Sequence, residues 1–458
     1  MLSCFAADTP DALPIHLVGT GDLTSWLDAQ PARLSTWVKD MGFDAKAGAW
    51  CGLPGIQGGL EGVVAGLGET PNVWTTGSLA HALPPGDYRL APAPSQGASF
   101  YLGWALGAYR FARYRQAPRD AARLVLPEAD AIDRAERIAE AVWMARDLIN
   151  TPAEDMGPGD VAAAAADMAA VFNATFRVIE GDALLDANYP AIHAVGRASS
   201  RPPRLIDVTW GRAGAPAVTL VGKGVCIDTG GLNLKTAAGM LRMKKDMGGA
   251  AAVLAVARMV MGEGLDVHLR VLIPAVDNAV DGNAYRPMDV IRTRKGTAIE
   301  IGDTDAEGRV ILADALAAAS EETPDLVIDM ATLTGAARVA LGPDLPALFA
   351  NDETISDGII DLSHEIGDGM WPIPIWGDYR EKMASSIADT NTIAGWPFAD
   401  HIQAALFLET FVGTEVPWLH IDTLCWNLSD RPGRPKGADV QGARAVFEFL
   451  CRRYGGSS

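Results

Sequence analysis

Short apolar runs of strand character alternate with longer stretches of helical spacing along most of the chain. In the first third, residues 15–19 and 59–67 read as strands, and 32–41 and 98–115 as helices. The latter helix carries Phe100, Tyr101, Trp104, Tyr109, Phe111 and Tyr114, a stripe that reads as core packing rather than as a cofactor box. A charged, alanine-rich amphipathic helix is predicted over 129–148. It stops at Asn150-Thr151-Pro152, because proline disfavours helical backbone in the residue before it. Helices are then predicted over 159–172, 247–261 and 310–321. Strands are predicted over 175–180, 204–210, 217–226, 267–276, 298–302 and 325–330. This order predicts a largely parallel sheet covered by helices on both faces. In such sheets, reactive groups gather at the carboxyl ends of the strands. The expected organisation is a small N-terminal α/β domain over 1–128, a connecting helix over 129–149 and a larger α/β domain over 150–458.

The 458 residues are enough for two or three domains at roughly 150 residues each. With 49% apolar and 21% charged residues, the chain is globular rather than disordered. Fifty-seven acidic against 38 basic residues give a formal charge of −19. That balance argues against nucleic acid or an anionic membrane as the main partner and favours cationic ligands and metals. The five cysteines form no CxxC pair, so neither a disulfide framework nor a thiolate zinc site is expected, and a reducing cytoplasm fits best. The longest apolar run, residues 250–257, is far short of the roughly 18–20 residues that span a bilayer. The N-terminus lacks the basic and apolar regions of a signal peptide, and none is expected.

Several chemistries are absent. There is no HExxH, and the seven histidines are dispersed, which argues against an imidazole-rich zinc site. There is no GxSxG elbow. Val221-Gly222-Lys223-Gly224 does not complete a phosphate loop, since Ala217 and Gly224 stand where glycine and Ser/Thr are required. Two segments remain. If residues 303–309 stay extended, Asp303, Asp305, Glu307 and Arg309 share one side. Carboxylates converging in that way repel unless cations sit among them, and divalent metals supply that charge best. The competing reading is an exposed acidic turn with Asp303 or Asp305 capping the next helix. The second segment, 221–250, places Lys223, Asp228, Lys235 and Asp246 among Gly224, Gly230, Gly231 and Gly239. Such glycines suit tight turns and close approach to a ligand. The competing readings are a helix N-cap for Asp246 and surface positions for the lysines.

Together these segments resemble the leucyl (cytosol) aminopeptidase family of the two-metal type. Its signature is Asn-Thr-Asp-Ala-Glu-Gly-Arg, and this chain has Asp303-Thr304-Asp305-Ala306-Glu307-Gly308-Arg309. The upstream VGKG…D…GG…K…AGM…M…DMGGA pattern also matches. Similarity continues through Asn150-Thr151-Pro152-Ala153, Arg286-Pro287-Met288-Asp289 and Ala331-Thr332-Leu333-Thr334-Gly335-Ala336, covering roughly 150–450.

The resemblance implies a small, macro-like N-terminal α/β domain and a larger C-terminal catalytic α/β domain with a mixed, largely parallel sheet. It implies that Asp228 and Glu307 bridge two divalent metals. Lys223 and Asp246 would complete the tighter site, and Asp305 the looser one. Manganese, zinc, magnesium and cobalt all suit the donors, and the oxygen-rich set favours manganese or magnesium over zinc. The implied activity is metal-dependent release of N-terminal residues from peptides, by attack of a bridging hydroxide on the first peptide bond. Lys235 would stabilise the oxyanion, and Arg309 would hold a bicarbonate acting as general base. The Leu333 and Gly335 backbones would grip substrate, with Met243 lining the pocket for the first side chain. The alternative is a catalytically weak member of the family acting as a binding module. Partners would be peptides with a free N-terminus and a homohexamer of two stacked trimers, with no membrane or nucleic acid, in the cytoplasm. Three features depart from the family: Asp303 in place of Asn, the segment 418–426, and Gly395-Trp396-Pro397-Phe398-Ala399-Asp400 in place of a more glycine-rich stretch. Cys226 and Cys425 are expected to be buried core thiols.

Overall fold

The computed structural model describes residues 1–92, 97–127 and 130–455, so the expected boundary at 128/129 lies outside the described residues. The chain divides into two compact units. The first comprises residues 1–143 and 427–437, and the second 144–426 and 438–458.

The first unit is built on a six-stranded sheet of β1 (Phe5–Ala6), β2 (Leu13–Gly19), β3 (Trp50–Pro54), β4 (Leu60–Gly68), β5 (Asp87–Leu90) and β6 (Arg123–Val125), in the order β1-β6-β5-β2-β4-β3. Its strands are parallel except β3, which pairs antiparallel with β4. Val18, Val64 and Leu53 pack with Leu27, Leu34 and Val38 of the helices Leu23–Asp28 and Ala32–Asp40. The aromatic stripe behaves as core, since Phe100, Tyr101 and Trp104 are buried in the helix Gly97–Ala108. That helix ends seven residues earlier than the sequence pattern predicts. The apolar face stops at Tyr109, and Tyr114 is exposed.

The second unit holds a nine-stranded mixed sheet. Its strands are β7 (Thr175–Glu180), β8 (Arg204–Gly211), β9 (Ala217–Gly222), β10 (Gly224–Asp228), β11 (His268–Asn278), β14 (Leu326–Ala331), β15 (Ala347–Ala350), β16 (Trp371–Pro372) and β18 (Trp418–Asp422). A small sheet of β12 (Val290–Arg292), β13 (Ala298–Glu300) and β17 (Thr390–Asn391) lies apart from it. The path through the large sheet is β16-β15-β18-β14-β9-β11-β8-β7, with β10 also on β11. The central strands β18, β14, β9, β10 and β11 are parallel, and β15, β8 and β7 join antiparallel pairs at the sides.

The predicted strand 217–226 is in fact two strands. The chain breaks at Lys223, whose N–H is taken by the Met330 carbonyl and whose own carbonyl accepts from Ala250. Gly222 lets a helix pack closely beside the break, because a Cβ there would lie 2.5 Å from Val253 and 2.8 Å from the Ala250 Cα. Successive residues of a strand face opposite sides. Val221 accordingly joins the apolar cluster with Val310, Ile311 and Leu312 of the helix Glu307–Ser320, while Gly222 meets the helix Gly248–Glu263. Gly249 brings that second helix against β14, where a Cβ would sit 2.1 Å from the Met330 carbonyl oxygen.

One buried acid locks the helix Glu307–Ser320 in place. Asp314 Oδ2 accepts from the amides of Ala191 (2.7 Å) and Ile192 (3.3 Å), and its Oδ1 from the amide of Arg294 (2.7 Å). Asp314→Ala leaves three buried or half-buried donors without a partner. Urea denaturation is expected to show a loss of about 2–4 kcal/mol.

Candidate active site

The parallel strands β9, β10, β14, β18 and β11 deliver Lys223, Asp228, the 332–335 loop, Asp422 and Asn278 from their carboxyl ends, as a parallel sheet requires. The signature segment meets them by coiling rather than by extending. Asp303 is extended, its Oδ1 accepts from the Asp305 amide at 2.9 Å, and a 3-10 turn Thr304–Ala306 runs into the helix at Glu307. The expectation of an extended 303–309 is therefore corrected. A short acid at an N-cap starts a helix by satisfying a free amide, so the capping reading and the clustering reading are both realised. Thr304 ties this turn to the glycine loop, donating to the Gly230 carbonyl (2.6 Å) and accepting from the Asn233 amide (2.8 Å).

One carboxylate oxygen from each of Asp228, Asp305 and Glu307 lies within 4.8 Å of the others. Lys223 Nζ sits 2.7 Å from Asp246 and 2.8 Å from Glu307, and also donates to the Thr332 carbonyl. Lys235 Nζ meets Asp228 at 2.7 Å and contacts Asp305. Asp228, Asp246, Glu307 and Lys223 are buried, whereas the Asp305 side chain is 33% exposed. Asp246 is not a helix cap. The N-cap of the following helix is Met247, without a side-chain bond, and Asp246 instead accepts from the Thr332 hydroxyl at 2.8 Å.

The electrostatics are strained. Four acids and two ammoniums sum to −4 + 2 = −2 within these six residues. Burial, and then Asp228, push the Glu307 carboxyl well above the usual range and that of Asp305 to about 6. Burial works against the Lys223 charge, but Asp246, Glu307 and Asp228 outweigh it and hold the ammonium protonated. Burial is the largest single effect on Asp246 and opposes its charge, but Lys223, Lys245 and the Thr332 hydroxyl together hold that acid low. Glu307 Oε2 is buried and accepts no hydrogen bond among the described residues. A crowd of carboxylates that resist ionising, with a buried oxygen left unpaired, is a donor set that fits hard divalent cations.

These residues line a cavity of about 330 Å³. All ten positions singled out from sequence border it: Lys223, Asp228, Asp246, Asp305, Glu307, Lys235, Arg309, Met243, Leu333 and Gly335. A larger cavity of about 560 Å³ in the first unit includes Asp87 and Arg123, which pair with each other at 2.7 Å, and holds no comparable cluster. Asp422 accepts from the amides of Leu333 (3.0 Å) and Thr334 (3.0 Å), so Leu333 has only its carbonyl to offer a ligand.

Sequence reasoning passed over several supporting residues. Asn278 donates to Asp228 at 2.9 Å, and Tyr285 donates to the Thr304 carbonyl at 2.7 Å, beneath the signature turn. Asp400 holds Arg309 at 2.9 Å. Thr332, Asp422 and Asp400 stand in segments whose motifs were visible. Asn278 carried no local signal, being 50 positions from its partner.

Residues 143–447 match the cytosol aminopeptidase family, catalytic domain, and residues 13–127 match the M17 aminopeptidase, N-terminal domain. A "Probable cytosol aminopeptidase" of Roseiflexus castenholzii is 38% identical over 366 residues, which span 76% of this chain and 75% of that protein. One of Geobacter sp. (strain M21) is 39% identical over 371 residues, 78% of this chain and 75% of that protein. Among solved structures, the cytosol aminopeptidase of Coxiella burnetii is similar with a TM-score of 0.95 and 46% identity, covering 99% of this chain and 100% of that one. The bottromycin maturation enzyme BotP in complex with Mn gives a TM-score of 0.88 and 33% identity, covering 98% of this chain and 100% of that one. The matched domains and these similarities over most of the chain lead to one conclusion: the chain belongs to the cytosol aminopeptidase family.

Proposed function

We propose that the chain is a metal-dependent aminopeptidase that releases N-terminal residues from peptides at the cavity of the second unit. The observation that carries this reading is the meeting of the Asp228, Asp305 and Glu307 oxygens within 4.8 Å of one another. Asp228 and Glu307 would lie between two divalent ions, with Lys223 and Asp246 beside one and Asp305 beside the other. The oxygen-rich donors favour manganese or magnesium, with zinc also admissible, and BotP offers a relative in complex with Mn. Bound there, such ions would polarise a scissile carbonyl and make water nucleophilic near neutral pH.

The chain's own groups do the rest. Lys235 carries a fixed positive charge next to Asp228 and Asp305, suited to an oxyanion once cations relieve it of those acids. Asp305 is partly exposed, so the ion it would hold would be reachable from the open side by the neutral α-amine of a substrate, which would confine cleavage to the first bond. Met243 and the Leu333 carbonyl border the space for the first residue. The presence of all ten residues in one cavity favours this reading over a catalytically weak binding module.

A peptide panel read by mass spectrometry after manganese loading is expected to show release from free N-termini and none from acetylated ones. No release from any free peptide would sink the reading. Glu307→Gln is expected to weaken metal binding more than about 100-fold by isothermal titration, and unchanged binding would contradict its role. Gly308→Ala tests the same site through packing. Its Cβ would lie 2.6 Å from Lys223 Cε and 2.8 Å from Nζ, so the buried lysine must move. At an overpacking cost of about 1–3 kcal/mol, metal affinity is expected to fall roughly tenfold or more.

We carry the hexamer and the cytoplasmic setting as part of this proposal. Five free cysteines, four of them buried, support a reducing compartment. No described helix is long and apolar enough to cross a membrane. Sedimentation equilibrium is expected to return six times the chain mass, and a monomer would refute the assembly.

A further inference from the structure

One wall of the cavity is basic. The Thr332–Asp246 hydrogen bond brings the 3-10 turn Met243–Met247 beside the loop that enters the helix Gly335–Leu341. From these two elements Met243, Lys245, Leu333, Gly335 and Arg338 line the cavity. The Lys245 side chain is 3% exposed, and its Nζ stands 3.8 Å from Asp246 Oδ1, too far for a hydrogen bond. That oxygen already accepts from Thr332, and Oδ2 meets Lys223. Arg338 is half-buried and makes no hydrogen bond or ion pair among the described residues. Asp422, the acid beneath the same loop, spends both oxygens on the Leu333 and Thr334 amides and the Thr334 hydroxyl. A cation serving the helix dipole belongs at the carboxyl end. The Arg338 guanidinium instead folds back to the first residue of its helix, with Nη2 3.4 Å from where a Cβ of Gly335 would stand.

We propose that Arg338 and Lys245 make the space for the first residue a carboxylate-binding pocket, so that peptides beginning with Asp or Glu are the preferred substrates. The proposal rests on the aminopeptidase reading above and names its substrate class. A guanidinium is always protonated and offers paired N–H groups that match a carboxylate. Lys245 adds a further N–H donor. Donors buried without an acceptor cost stability, and a carboxylate on the first residue supplies the acceptor that the chain withholds. An N-terminal leucine would leave both groups unpaired, and glutamine would offer them only a neutral oxygen. Two divalent ions would cancel the four acids of the metal cluster, so those acids do not neutralise Arg338 in the loaded protein.

Glutamate and glutamine have nearly the same shape, so discrimination between them reads the charge of the pocket. The substrates are amino-acid α-(p-nitroanilides), which carry no C-terminal carboxylate. At neutral pH the manganese-loaded wild type is expected to show a kcat/KM for Glu at least about tenfold above those for Gln and Leu. Arg338→Met should lower the Glu-to-Gln ratio about tenfold or more, and Lys245→Met should lower it as well. The ratio divides out any general loss of activity. Arg338→Glu should reverse the preference, favouring Lys over Glu. A second readout needs no turnover. Titration calorimetry of free L-glutamate and L-glutamine into the manganese-loaded protein should give glutamate a Kd about tenfold lower, an advantage lost in Arg338→Met. If Arg338→Met does not fold, Arg338→Gln serves in both arms. A purely structural Arg338 or Lys245 would shift the urea midpoint on substitution and leave the ratio alone. The proposal is overturned if the wild type turns over Gln or Leu as well as Glu, or if the Glu-to-Gln ratio survives either substitution. Failure of the wild type to cleave any anilide or free peptide would instead overturn the aminopeptidase reading, while the amino-acid titration still reports on the pocket.

Discussion

The second unit is organised around a repulsion. Asp228, Asp246, Asp305 and Glu307 come from a strand end, a 3-10 turn before one helix, and a 3-10 turn leading into the first turn of another. Burial removes the water that would otherwise screen them. Two lysines hold the cluster together, each against two acids, yet Glu307 still cannot ionise normally. A fold that tolerates such a cluster has hydrophobic burial to spare elsewhere, in the helices Gly248–Glu263 and Glu307–Ser320 packed on opposite faces of β9. The net anionic charge left over is what makes the cavity a place for cations.

The scaffold achieves this with close backbone approaches more than with side-chain bulk. Gly222, Gly249 and Gly308 each occupy a spot where a Cβ would collide with a helix, a carbonyl or Lys223. Bringing the helix Gly248–Glu263 hard against β9 and β14 moves Asp246 next to Lys223. Thr304, Asn278 and Tyr285 then join the glycine loop, the strand end and the signature turn by hydrogen bonds spanning 19 to 74 positions.

Departures from the family pattern have identifiable local consequences. Asp303, where the family has Asn, caps the turn by accepting the Asp305 amide, which needs only an oxygen acceptor. In the tail segment the departure begins after Asp422: His420 still pairs with Asp329 at 2.6 Å in the core, and Asp422 orients the Leu333–Thr334 amides. The segment ending at Asp400 brings a carboxylate to Arg309.

The sequence alone determined the α/β alternation, most helix and strand spans, and the ten residues that border the cavity. Those properties reside in local periodicity and in short motifs, where neighbours in the chain set the outcome. It left the signature segment open between an extended run and a capped turn, read one strand across Lys223 and ran the helix 98–115 too long. In each case a cap, a backbone crossing or the end of the buried face overrode local pattern. Only the tertiary structure decided which acid faces which base, that Asn278 supports Asp228, and that Arg309 is already paired. Those partnerships join residues 23 to 91 positions apart, and no local rule reaches that far.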